Sequence, residues 1–199
     1  MTDMFLSAIK NRRSYYSLSK GIAVTPERIK DIVEQVVLAT PSAFNSQSQR
    51  VVVLFGEQHA KLWNITKEVL RGIVPANAFA ATEAKIDSFA AAAGTILYYD
   101  ETTITKGLQE QYPLYSDNYP ILAQQSNGML QSNIWNALEA EGLGASLQHY
   151  NPLIDEKVAV NWKLPASWKL IEQMPFGKIT APAAEKDVLP ASERVTVFQ

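Results

Sequence analysis

Apolar residues recur at helical spacing along some stretches of the chain and crowd into unbroken runs along others. In residues 3–12 (DMFLSAIKNR), Met4, Phe5, Ala8 and Ile9 share one stripe, so the spacing predicts a short amphipathic helix whose charged end runs into Arg12 and Arg13. A second helix starts at Thr25, a capping residue, with Pro26 in the first turn. Its stripe of Ile29, Ile32, Val33, Val36 and Val37 ends at Thr40-Pro41. The polar run 41–50 reads as a loop, and Val51–Phe55, closed by Gly56, as a strand buried on both faces. Leu62, Ile65, Val69 and Leu70 mark a further helix before Pro75, and an alanine-rich helical stretch ends near Ala93. Gly94–Asp100 is a second strand.

A long helix runs from about Tyr119 to Glu141, with Leu122, Met129, Leu130, Ile134, Ala137 and Leu138 on one side and Gly142 just past its end. Residues 143–148 form a short strand or turn, 153–161 another helix, and 168–176 a final core strand. The tail from Ile179 to Gln199 has little periodicity and is either loose or wrapped on another surface. Strands separated by helices, without repeat or linker, describe one domain spanning 1–199, an α+β or α/β three-layer architecture.

Composition narrows the chemistry. A chain of 199 residues with 47% hydrophobic and 19% charged residues is globular. Eighteen basic residues against twenty acidic ones leave a net charge of −2, so no overall field directs the chain to nucleic acid or an anionic membrane. With no cysteine, thiolate nucleophiles, iron–sulfur clusters and Cys-based zinc sites are excluded. His59 and His149 form no close-spaced ligand pair, so no protein-bound metal is expected. No signal-length or membrane-length apolar run is found, and the cytoplasm is the expected location.

Four stretches carry polar chemistry. Asn11-Arg12-Arg13-Ser14 sets two guanidinium forks beside a hydroxyl, which suits a phosphate; alone it also reads as a solvated basic helix end. The Pro41–Gln49 loop offers neutral donors and acceptors from Ser42, Asn45 and Gln47 beside a strand, fit for a hydroxyl- and carbonyl-rich ligand or for an ordinary exposed turn. In Gly142–His149 the GxGxx start is no dinucleotide fingerprint, because a helix precedes it and no third glycine follows. Lys178 and Lys186 are two tail lysines without meaning of their own. No G-x-S-x-G elbow is present, and Glu139 and Glu141, two apart on a helix, do not face each other as an acid/base pair would.

Taken in order, Arg12-Arg13-Ser14, Pro41-Ser42-Ala43-Phe44-Asn45-Ser46-Gln47, Gly144 through Pro152, and Phe176-Gly177 followed by Lys186 resemble the nitroreductase family of FMN enzymes over nearly the whole chain. Within the family the chain is most similar to the branch holding a copper-induced enzyme of lactic acid bacteria and fungal enzymes linked to fatty-acid regulation. The resemblance implies a three-layer α+β fold with a mostly antiparallel sheet, and a homodimer with two FMN sites between subunits and a C-terminal tail wrapping the partner. By it, Arg12, Arg13, Ser14 and Lys186 hold the phosphate, and Ser42, Asn45 and Gln47 reach in from the partner. The backbone at Leu147, Gln148 and His149 follows the ring edge.

The implied activity is hydride transfer from NADH or NADPH through the flavin to a small electron-poor acceptor, a nitroaromatic or quinone, by a ping-pong route. The cofactor carries the chemistry, so no side-chain acid or base is required. A flavin-binding redox sensor with little turnover, and a domain binding some other phosphorylated ligand, are the competing expectations. Two departures stand out: Tyr16 occupies the position of a lysine found near the flavin N1/O2 edge in many members, with Lys85 as a candidate substitute, and Ser48-Gln49-Arg50 replaces the usual aromatic after the loop glutamine.

Overall fold

The computed structural model describes residues 2–199. The elements are α1 (Thr2–Asn11), β1 (Leu18–Ser19), α2 (Pro26–Ala39), β2 (Gln49–Phe55), α3 (Gly56–Arg71), α4 (Phe79–Ala90), β3 (Gly94–Glu101), α5 (Thr102–Gln111), α6 (Asn118–Ala140), β4 (Leu143–Ala145), α7 (Asp155–Trp162) and β5 (Trp168–Ile179). All strand pairs in the sheet are antiparallel. β3 lies between β2 and β5, and β5 pairs further with β1 and β4 near its C-terminal end. The predicted α+β three-layer architecture is observed, because each face of the sheet carries its own core. Ile29 and Val33 of α2 with Leu130, Ile134 and Leu138 of α6 cover Ile96, Tyr98, Met174 and Phe176. On the other side Leu62 and Trp63 of α3, Ile86 and Phe89 of α4 and Val158 of α7 cover Leu97, Tyr99 and Leu170.

Local signals set the helix ends. Thr25 Oγ1 accepts from Arg28 N–H at 3.2 Å and Pro26 opens α2. The backbone turns extended at Thr40, as the following proline requires. Gly142, with φ 77°, ends α6 in the left-handed conformation that glycine adopts without a Cβ penalty.

Three expectations are corrected. The run Val51–Phe55 is not buried on both faces: β2 is an edge strand on which Val51, Val52, Val53 and Phe55 are only half-buried. The strand enclosed on both sides is β3. The alanine-rich helix ends at Ala90, because Ala93 N–H is already committed to Phe176 O at 2.9 Å. On α6, Met129 is exposed, and the inward face between Leu130 and Tyr119 is completed by polar residues: Gln131 Nε2 donates to Asn127 Oδ1 (2.8 Å), and Asn127 Nδ2 donates to Tyr99 O (3.0 Å). α1 leaves Met4, Phe5, Leu6 and Ile9 exposed, and the tail exposes Val195, Val197 and Phe198. No described helix is long and apolar enough to cross a membrane.

Candidate functional site

The clamp is built where α1 ends. The Arg12 guanidinium carbon lies 4.2 Å from the Trp135 ring centroid, so α6 supplies an aromatic face against which the cation rests. Arg13 donates to the Ala184 carbonyl, tying the tail to the clamp. Ser14 is paired with Ala145 in a parallel bridge, and Tyr15 N–H donates to Ala145 O at 3.0 Å. That approach needs Gly144, because a Cβ there would lie 2.7 Å from Ile179 Cγ1 and 2.9 Å from Leu18 Cδ2. Arg12, Arg13, Ser14, Tyr16 and Lys186 thereby line one open cavity of about 300 Å³, together with Glu185. Three cations against one carboxylate leave two positive charges, which match a phosphate monoester of about −1.5 to −2. Glu139, nearby on α6, is lifted above the usual carboxylate range by burial, with Arg12 opposing the shift.

The stretch after β4 follows from the clamp through the Ser14–Ala145 bridge. Gln148 exchanges both backbone hydrogen bonds with Gln173, N–H to O at 2.7 Å and O to N–H at 3.0 Å. Its side chain is buried and donates to Ser146 Oγ at 3.1 Å. The bridge therefore engages the Gln148 amide and leaves the Leu147 and His149 amides outside it. His149 presents a largely exposed imidazole whose Nε2 is 2.9 Å from Glu172 Oε1. Burial raises the Glu172 carboxyl above its ordinary range, and His149 pulls it back.

The loop 41–47 is a separate, tightly folded unit. Ser42 Oγ accepts from Gln47 N–H at 2.9 Å, and Ala43 N–H donates to Ser126 Oγ at 3.3 Å, which fastens the loop to α6. Phe44 (φ 56°), Asn45 (φ 49°) and Gln47 (φ 50°) are all left-handed, a conformation costing about 1–3 kcal/mol for a non-glycine residue. The Phe44 ring, largely exposed, leans on Tyr112 (5.7 Å) and Tyr119 (5.5 Å). Beside it lies a cavity lined by Tyr115, Leu122 and the amides of Asn118 and Gln125. Asn45 and Gln47 line a different cavity, with Thr40 and Arg50.

The structure thus brings together Arg12, Arg13, Ser14 and Lys186, and joins Leu147, Gln148 and His149 to them through the backbone. It does not bring Ser42, Asn45 or Gln47 to the clamp of the same chain: Ser126, which holds the loop, and Trp135, which holds Arg12, are nine residues apart on α6, about 14 Å along its axis. Lys85 is exposed on α4 and does not line the clamp cavity. Lys178 stands exposed on β5, not in the tail, and does not line the clamp cavity, whereas Lys186 does. Sequence reasoning missed Trp135, for which no local signal exists, and Glu172, whose signal was an acid in the middle of a predicted core strand.

An antiparallel sheet between two helical layers, with a cationic cavity where the first helix meets the strand after the longest one, defines an α+β protein of the nitroreductase fold. It superposes with TM-score 0.90 on the nitroreductase CinD from Lactococcus lactis solved with chloramphenicol, at 42% identity over 98% of this chain and 100% of that one. The same protein solved with 4-nitrophenol gives TM-score 0.89 at 43% identity over 98% and 100% of the two chains. The nitroreductase family model matches residues 9–178, and the chain belongs to the nitroreductase family. HBN1 of Saccharomyces cerevisiae is 35% identical over 92% of this chain and 91% of its own length. The nitroreductase FRM2 of the same yeast is 34% identical over 93% of each. The bacterial and fungal branch indicated by the sequence is therefore the one found.

Proposed function

We propose that the chain is an FMN-dependent oxidoreductase that takes hydride from NADH or NADPH and passes it, in two separate half-reactions, to nitroaromatics, quinones or similar electron-poor acceptors. The observation that carries this reading is the convergence of Arg12, Arg13, Ser14 and Lys186 on one cavity with two net positive charges, joined by the Ser14–Ala145 bridge to a backbone stretch with amides to spare. The donor set fits a phosphate, and the Leu147 and His149 amides fit the acceptor-rich edge of a flavin ring. When bound, FMN supplies reversible two-electron chemistry.

The residues of the chain do the positioning. Arg12, resting on Trp135, and Arg13 grip phosphate oxygens, with Ser14 and Lys186 adding donors. Ser42, Asn45 and Gln47 serve the ribityl chain and ring of the partner's cofactor, which accounts for their distance from the clamp of their own chain. The aromatic cavity beside Phe44 is where a flat acceptor enters; the Lactococcus lactis relative solved with 4-nitrophenol supports that class of ligand.

One domain spanning 1–199 acts as a homodimer in the cytoplasm. The apolar stripe of α1, the trough between α2 and β2 at Val37, Leu38 and Val51, and the tail residues Val195, Val197 and Phe198 all lack cover in a single chain. The alternating Val195, Val197 pattern of the tail suits the open β2 edge of a partner.

Purified protein is expected to be yellow, and stopped-flow mixing with NADH or NADPH to bleach it within seconds. A colourless protein that refuses added FMN would end the flavin reading. A yellow protein bleached by neither nucleotide would leave a flavin-binding redox sensor in its place.

A further inference from the structure

Each acceptor turnover needs more than hydride. A nitro group becoming nitroso takes up one hydride and one proton and loses water (ArNO2 + H⁻ + H⁺ → ArNO + H2O), and a quinone takes one hydride and one proton to become a hydroquinone. We propose that His149, held by Glu172, is the group that donates this proton, with Glu172 as its positioning residue. The proposal rests on the reading above that the 147–149 backbone follows the flavin edge where hydride is exchanged.

The geometry has three parts. His149 Nε2 meets Glu172 Oε1 at 2.9 Å, which fixes the ring and directs its other face outward, where the imidazole is 62% exposed. Glu172 Oε2 is sealed from solvent and has no hydrogen-bond partner among the described residues. A carboxylate with one dry, unpartnered oxygen is costly unless a proton stays on it or on the group facing its other oxygen, so the pair holds one proton between its members. Finally, the exposed ring can be reloaded from bulk water.

The surroundings leave the pair to itself. From β3, the facing titratable group is the Tyr98 hydroxyl, which donates to Met174 Sδ at 3.5 Å and is kept neutral by burial. From the segment after β4, Ser146 and Gln148 are neutral. On β5, Lys169 lines a different cavity, beneath α5, and acts on Asp155. Of the acidic groups at the end of α6, Glu139 lies near Arg12, and Glu141, just past the helix, is paired with Arg28 at 2.7 Å.

The test uses the flavin-loaded protein and ¹⁵N-histidine NMR in parallel. With 4-nitrophenol or a benzoquinone as acceptor, reoxidation of the reduced protein should be fastest at low pH and fall as pH rises through the titration of His149 seen by NMR. Glu172→Gln takes away one of the two sites between which the pair holds its proton, so the NMR titration and the fall in reoxidation rate should both shift, and shift together. His149→Gln should slow reoxidation by about 10²-fold and flatten its pH dependence, the loss typical of a general acid. If Glu172→Gln moves the NMR titration while the reoxidation profile stays put, the pair is structural and the proposal falls. A parent protein that binds no FMN would remove the underlying reading, and the proposal with it; proton sharing between His149 and Glu172 would still be legible by NMR in that protein.

Discussion

At the residue scale, the clamp makes the most direct prediction. Arg12→Ala deletes a charged donor worth about 1.5–3 kcal/mol, so the dissociation constant for FMN should rise about 10- to 150-fold. Fluorescence titration of the apo-protein with FMN reads this, and an unchanged affinity would show the clamp to be misplaced. A second residue speaks through pH. His59 is buried, with Trp63 Nε1 donating to Thr95 Oγ1 (2.9 Å), Thr95 facing His59 Nδ1 (2.8 Å), and Nε2 facing Ala90 O (3.2 Å). Those partners suit a neutral ring, and burial lowers its pKa below the ordinary 6.5. A lowered folded pKa means that the unfolded chain binds the extra proton first. The stabilisation is therefore complete above pH 6.5 and is lost as pH falls from there toward the folded value. Urea midpoints should drop between pH 7 and pH 5 in the parent and drop less in His59→Gln.

Elements decide where those residues stand. Gly144→Val would drive side-chain atoms into Ile179, Leu18 and Tyr15, all within 3.0 Å of the Cβ position. The expected result is a loss of about 1–3 kcal/mol in urea unfolding together with weakened FMN binding, because the same glycine lets Ser14 reach Ala145. A variant that unfolds earlier yet keeps its FMN affinity would separate the glycine from the clamp. At this scale much was legible from the chain: helix caps such as Thr25-Pro26 and Gly142 are local chemistry, and α2, α6 and β3 lie where periodicity put them. What sequence could not give was non-local. A run of five apolar residues in β2 looks the same whether a neighbour covers it within the chain or not, and the Arg12–Trp135 stack joins residues with no sequence relation. The Asn127–Gln131 ladder defeated the hydrophobic pattern by burying amides that the backbone of β3 satisfies.

For the whole molecule, the uncovered apolar surfaces predict obligate pairing. Sedimentation at micromolar concentration should give a species of twice 22.1 kDa, and deletion of residues 188–199 should shift it toward the single chain and lower FMN affinity. A stable, flavin-loaded monomer would overturn the shared-site arrangement. The edge position of β2 carries a further consequence. Its sequence, QRVVVLF, has strong strand preference and a single charge, and an unpaired edge of that kind is a template for disordered stacking between copies. Arg50, whose guanidinium is turned back onto the Gln47 and Gln49 carbonyls, is the sole gatekeeper along that strand. Dilution or tail loss should therefore announce itself as turbidity before the colour fades, and shelf life, more than turnover, should be the property most sensitive to a charge added at Val51 or Val53.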